Sequence, residues 1–205
     1  MGTLIARCTL IVALVASAAC SSGPSADDDA ASFAKKIDEY RADVDRMMRS
    51  NDSPIPADKR SALLPLKYYP ADPSFTVPAA LRLADQRPVF EMPTSTGVVR
   101  RMQRVGVLQF TLKGQEMTLG AFVEEGTQRI DELFVPFADE TTGKDTYEAG
   151  RYLQLKPTTT NLYEVDFNRA FNPYCAYNKT YECPFPPPSN RLKIAVTAGE
   201  KLPGA

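Results

Sequence analysis

The stretch Val98–Val123, VVRRMQRVGVLQFTLKGQEMTLGAFV, decides the fold class. Leu108, Phe110 and Leu112 alternate with Val107, Gln109 and Thr111, a period of two that turns one face of a strand to a core and the other to water. Lys113-Gly114-Gln115 reads as a tight turn, and Met117–Val123 as the strand that returns beside the first. Gly106 divides the first arm into two expected strands, Val98–Val105 and Val107–Leu112.

Upstream the same texture continues in Leu63–Tyr69, Phe75–Val77, Leu81–Ala84 and Val89–Met92, separated by Pro70, Pro73, Pro78 and Pro88. Thr94-Ser95-Thr96-Gly97 is a turn into Val98. Downstream, Glu125-Gly126-Thr127 is a turn, and Glu132–Phe137, Gly150–Leu155 and Leu192–Val196 are further strands. Short strands joined by Gly-containing turns predict a mainly β domain: an antiparallel sandwich or partly closed barrel.

Phe33, Ile37, Tyr40, Val44 and Met47 recur at steps of three and four, so an N-terminal helix is expected over 32–49, with Ser32 as its cap and Met48 and Ala34 widening the stripe. Asn51-Asp52-Ser53-Pro54 and Pro56 end it. Such a stripe packs on its own domain or receives a partner. Ser21–Ala31, SSGPSADDDAA, is too poor in apolar residues to fold and is expected to be a tether.

The first residues fix a compartment. Arg7, an apolar run from Thr9 to Ala16, and Ser17-Ala18-Ala19-Cys20 form a secretory signal too short to remain as a membrane span. A cysteine after small residues resembles the lipobox of bacterial lipoproteins, although Ser17 stands where an aliphatic residue is usual. The resemblance implies removal of 1–19, diacylglycerol on Cys20, and an exported chain held on a membrane by acyl chains. An ordinary secretory signal is the alternative. The expected organisation is signal 1–19, lipidated cysteine and tether 20–31, and one domain over 32–203.

Composition narrows the chemistry. With 24 basic and 25 acidic residues interspersed, the chain has no electrostatic footprint for nucleic acid. It contains no histidine, which removes Ser–His–Asp and Cys–His machinery, His-ligated zinc and the imidazole base. No cofactor is implied.

The blocks Leu133–Tyr152, LFVPFADETTGKDTYEAGRY, and Asp166–Lys201, DFNRAFNPYCAYNKTYECPFPPPSNRLKIAVTAGEK, resemble a bacterial domain-of-unknown-function family, number 1684. Thr94–Gly97 and Gly106–Leu112 fit it too, so the likeness runs from about Phe33 to Lys201. It implies one recurring domain, often envelope-anchored, and a shared use for the two blocks.

The second block, with its mixed rings, amides and prolines, has neither helical nor strand period, so specific contacts must hold it. Cys175 and Cys183 are the thiols left after lipidation of Cys20, and export predicts a disulfide between them; a thiolate metal site drawing on carboxylates is the runner-up. Such a bridge would fix Tyr174, Tyr177, Asn178 and Tyr181, and Pro184, Pro186, Pro187 and Pro188 would carry the chain onward as a rigid strap.

Asp166, Asn168, Arg169 and Asn172 either satisfy buried backbone or face a ligand, for which Tyr174, Tyr177 and Asn190 would add rings and an amide. Asp139, Glu140, Asp145 and Glu148 surround Thr141-Thr142-Gly143, with Tyr147 and Arg151 alongside. A solvated turn, a cation site and a pair of glycosidase-type carboxylates are the three readings of that loop. The expected role is a non-catalytic binding module for a small polar ligand or glycan at the membrane surface. A histidine-free hydrolase using the 139–148 carboxylates and an envelope assembly partner are the alternatives.

Overall fold

The computed structural model describes residues 26–204; the signal 1–19, Cys20 and residues 21–25 of the expected tether lie outside the described residues, and the rest of that tether, 26–31, is helix instead. Helix α1 runs Ala26–Arg49, beginning six residues before the expected cap at Ser32. Alanines and acidic residues precede Ser32 with no Pro or Gly, so nothing stops the helix there, and acidic residues suit its positive end. Ile37 and Met48 are its buried residues, with Val44 packed beside them, whereas Met47 is exposed: the stripe drifts by one position at its C-terminal end. It covers a small cluster of Ile55, Leu64, Leu66 and Tyr177.

The rest is one antiparallel sheet of seven strands, curled into a half-barrel. Its strands are β1 (Thr76–Leu83), β2 (Val89–Pro93), β3 (Val99–Leu112), β4 (Gln115–Glu124), β5 (Leu133–Phe137), β6 (Arg151–Leu155) and β7 (Leu162–Asp166). The order is β6-β5-β4-β3-β1-β7, with β2 pairing the first half of β3. The main core lies on one face, where Leu108, Phe110 and Leu112 of β3 meet Leu119, Ala121 and Val123 of β4. Phe167, Leu192, Val196 and Ala198 from the following segment close it.

Several expected strands take a different form. Phe75–Val77 and Leu81–Ala84 are one strand through Pro78, which is tolerated because pairing with β3 begins only at Ala79, so Pro78 has a neighbour on one side alone. Leu63–Tyr69 is not a strand: a short helix α2 (Arg60–Leu63) leads into a single bridge, Tyr68 to Glu200. Leu192–Val196 is not a regular strand either: Arg191 bridges Ala138, backbone bonds to Ala138 and Glu140 continue only as far as Ile194, and Val196 is then held by the Arg151 side chain. Strand β7 was not expected from the sequence.

The two strands expected on either side of Gly106 are one, and the glycine marks a bulge between Arg104 and Gly106. The bulge reverses the alternation. Beyond it even-numbered residues enter the main core; before it Val105 does, and Met102 turns to the opposite face with Met92 and Phe122. Phe134 of β5 and Tyr152 of β6 alternate with core residues Leu133, Val135 and Leu153, so they lie on that second face as well. The sheet thus carries apolar side chains on both faces across β3–β6.

A Cβ at position 106 would sit 2.4 Å from the Arg82 carbonyl oxygen, on backbone that cannot move without disturbing β1. Gly106→Ala should therefore lower the unfolding free energy by about 1–3 kcal/mol, measured by urea titration; an unchanged midpoint would show that the bulge yields freely.

Candidate functional site

The site is built where the segment after β7 crosses the sheet. Arg151, first residue of β6, points into the main core and is fully buried. Its guanidinium pairs with Asp139 Oδ2 at 2.9 Å and donates to the carbonyls of Val196 at 2.8 Å, Glu200 at 3.2 Å and Ala198. Asp139 Oδ1 accepts from the Thr141 amide and hydroxyl at 2.7 and 2.6 Å. A planar fork of five donors suits this task, because it can meet one carboxylate and several carbonyls together. The ion pair ties residues 196–200 to the sheet, and Asp139 is engaged in it rather than open to solvent.

Glu200 is fully buried next to this knot. Its Oε2 accepts from the Tyr177 hydroxyl at 2.6 Å and the Asn172 amide at 2.8 Å, and Tyr68 reaches Oε1 at 3.5 Å. Burial pushes its carboxyl up to about 7, against the lowering effect of those hydrogen bonds and of Arg151. Nothing in the local sequence marks Glu200 as special.

The other expected polar residues also serve backbone. Asn168 holds both ends of the Asp72 peptide, accepting from its N–H and donating to its C=O at 2.9 Å each, and Asp166 accepts from the Thr76 hydroxyl at 2.9 Å. Asn190 brackets Gly120 in the same way, accepting at 2.7 Å and donating at 2.9 Å, and reaches the Pro136 carbonyl at 2.7 Å. The Asn172 side chain donates to the Lys201 carbonyl at 2.8 Å. These are the latches by which an irregular segment satisfies buried strands. Arg169 lies exposed near Asp166 and over Tyr40, and with Asp166 lines a groove of about 560 Å³ beside β6 and β7.

A second cleft lies on the opposite face of the sheet. It has a volume of about 560 Å³, between β3–β6 and the loop Tyr174–Pro184. Met102, Phe122, Phe134, Tyr152 and Phe171 form its floor, and Tyr174, Tyr181, Cys183 and Pro184 form one wall. Tyr152 stands edge-on to Phe134 at 4.6 Å and to Phe171 at 5.9 Å, and its hydroxyl donates to the Pro184 carbonyl at 2.6 Å. Tyr174 and Tyr181 meet edge-on at 5.3 Å, with Tyr174 39% exposed. Charged groups from the strand ends and the loop form the rim: Arg100, Glu124, Asp131, Glu132 and Glu182.

Of the residues singled out from the sequence as ligand-binding candidates, only Tyr174 lines this cleft, beside Tyr181, Cys183 and Pro184 of the cysteine loop and strap. Tyr147 lines a neighbouring groove of about 500 Å³ with Ser95, Glu148, Lys179 and Arg191. Tyr177 is buried beneath α1 against Glu200. The floor and rim residues escaped notice because they belong to ordinary-looking strands. Their signal is parity: Phe122, Phe134 and Tyr152 are large rings at positions opposite to the core-facing ones.

Cys175 and Cys183 are free, buried and packed together with Tyr147 and Tyr152, and the Cys175 amide donates to Cys183 Sγ at 3.1 Å. The Cys175 thiol is held below its ordinary range, first by the hydrogen bond from the Cys183 thiol, with Tyr147 and Lys179 adding to it against burial; Cys183 is pushed up by the same bond. Ser95 fastens the loop from outside: its hydroxyl donates to the Tyr181 carbonyl at 3.0 Å and its amide to the Cys183 carbonyl at 3.1 Å. Among the described residues no group of three or more His, Cys, Asp or Glu is placed to hold a metal.

Two stability measurements follow from this wiring. Arg151→Met leaves Asp139 buried without its cation and should cost about 3–5 kcal/mol in urea unfolding. Glu200 has a folded pKa raised above the ordinary 4.5, so the stability it confers is complete below about pH 4.5 and is lost as pH rises through about 7. The loss is on the order of 3 kcal/mol. Urea midpoints taken from pH 5 to pH 8 should fall, and Glu200→Gln should flatten the fall.

No curated protein matches the chain in sequence. Residues 62–201 match a family described as "Protein of unknown function (DUF1684)", a span that opens after α1 rather than at Phe33. The solution NMR structure of an uncharacterized protein of Haloarcula marismortui is similar, with 36% identity and a TM-score of 0.67. That match covers 85% of this chain and 97% of the other. By the extent of both matches, the chain belongs to the DUF1684 family.

Proposed function

We propose that the protein is a non-catalytic binding module, which holds a small molecule or glycan in the cleft between the second face of the sheet and the Tyr174–Pro184 loop. The observation that carries this reading is the cleft itself: a cavity of ligand size with an aromatic floor and a polar rim, in a chain without histidine. Rings supply contact area at little entropic cost, and rim groups supply orientation. A hydrolase built on the 139–148 loop has less support, since Asp139 is engaged with Arg151 and Glu140, Asp145 and Glu148 are exposed.

The same proposal includes the setting. Signal 1–19 and an acylated Cys20 would tether the module at a membrane surface, a reading supported by the sequence; among the described residues no helix is long and apolar enough to cross a membrane. In an exported chain the two loop thiols would be oxidised by a disulfide-bearing oxidant. Each sulfur gives up its hydrogen, the sulfurs join, and the oxidant leaves as a dithiol. Their contact in one buried cluster supports the step.

Thermal-shift screening against cell-wall sugars, lipids and divalent ions should find a stabilising ligand, and Tyr174→Ala should remove the shift without unfolding the protein. No shift with any class, together with a co-purifying protein, would replace this reading with that of an assembly partner. Mass spectrometry of the membrane fraction should find Cys20 acylated at a new N-terminus. Thiol titration of the denatured, unreduced mature protein should find no free thiol; two free thiols would exclude the bridge.

A further inference from the structure

The rim and the floor of the cleft are chemically unlike, and together they select a ligand. The rim carries four carboxylates, Glu124, Asp131, Glu132 and Glu182, against one guanidinium, Arg100, and no lysine. Arg100 is already held between two of those acids, in direct contact with Glu124 and 4.0 Å from Glu182. Asp131 pairs with Arg129 at 2.8 Å, where both side chains are well exposed and screened. Among the described residues, Glu132 has no ion-pair partner. The mouth of the cleft is therefore negative: Arg100 is shared by two carboxylates, and Glu132 is left unpaired.

Below the rim the accessible surface is aromatic. Phe134, Phe171 and Tyr181 are partly exposed and Tyr174 more so, arranged edge-to-face on either side of the opening. Such rings present electron-rich faces at which an ammonium group is held electrostatically, most strongly where water is displaced. The amides that a neutral sugar would need lie elsewhere: Asn168, Asn172 and Asn190 are engaged with backbone, and of the cleft-lining side chains only Gln154 is an amide.

We infer that the ligand of this cleft is a small organic cation with an apolar body, a quaternary ammonium or protonated amine drawn in by the acidic rim and seated against the Tyr174, Tyr181, Phe134 and Phe171 rings. The inference rests on the binding reading above and names the ligand class for that site. The attraction is partly long-ranged, so it weakens with added salt, whereas ring contact does not.

Choline and 3,3-dimethylbutanol differ only in a charged nitrogen replacing a carbon, so the pair isolates the charge. Each is titrated into the full-length isotope-labelled protein in micelles, followed by amide shifts around Tyr174 and Tyr181, with N-acetylglucosamine as the neutral-sugar arm. Choline should bind at least tenfold more tightly than its neutral isostere, lose several-fold in affinity in 0.5 M salt, and lose further in Glu132→Gln, an exposed substitution that leaves the fold intact. Equal affinity for choline and the isostere, or no effect of Glu132→Gln, would overturn the inference. Binding of the sugar with none of choline would overturn it while leaving the binding reading in place. Absence of shifts with all three at millimolar concentration would overturn both.

Discussion

A guanidinium closed off from water must find all its partners inside the protein, and this requirement organises the molecule. Removing two charges from solvent is repaid only when the ion pair is close and the remaining donors are met. Arg151 comes close to this: its two terminal nitrogens meet Asp139 on one side and three carbonyls of residues 196–200 on the other, and only its Nε is left without a partner among the described residues. An extended segment with little sheet pairing of its own is thus held at fixed register against β6. Glu200, carried on that segment, then meets Tyr177 and Asn172, and through them the base of α1 and the start of the cysteine loop. Helix, sheet and loop are joined by one connected set of buried polar groups.

The second organising feature is the bulge at Arg104–Gly106. An uninterrupted strand would keep Met102 on the same face as Leu108, and β3 would contribute no large apolar side chain to the outer surface of the sheet. One extra residue turns Met102 outward to join Met92 and Phe122, and rings on β5 and β6 extend the patch. Apolar surface of that extent needs a cover. The loop 174–184 partly supplies it, anchored by Ser95 and Tyr152, and the part left uncovered is the cleft.

Strand alternation in Val107–Leu112, the turns at Gly97 and Gly114 and the helical spacing of Ile37 and Val44 are local signals, so the antiparallel β class and the N-terminal helix were legible in the chain. Gly106 was legible as an interruption but not as a bulge, because only the partner strand reveals whether pairing resumes. Pro78 misled for a related reason: its tolerance depends on which neighbour lies beside it. The polar residues of the two long blocks were visible as unusual, and Asp139, Arg151, Asn168 and Asn190 are indeed buried and engaged. Apart from the Asp139–Arg151 pair and the local Thr141 contacts, what they engage is backbone forty to a hundred residues away, which no spacing encodes. The cleft escaped because its floor is read only by comparing the parity of three strands.

Residues 196–201 supply carbonyls to Arg151, a carboxylate to Tyr177 and main-chain partners to Lys67 and Tyr69. Everything those contacts complete precedes them in the chain. A nascent polypeptide emerging in order would display Arg151 and the unfilled side of its half-barrel for as long as this stretch is still being made. Closure would then come in a single late step.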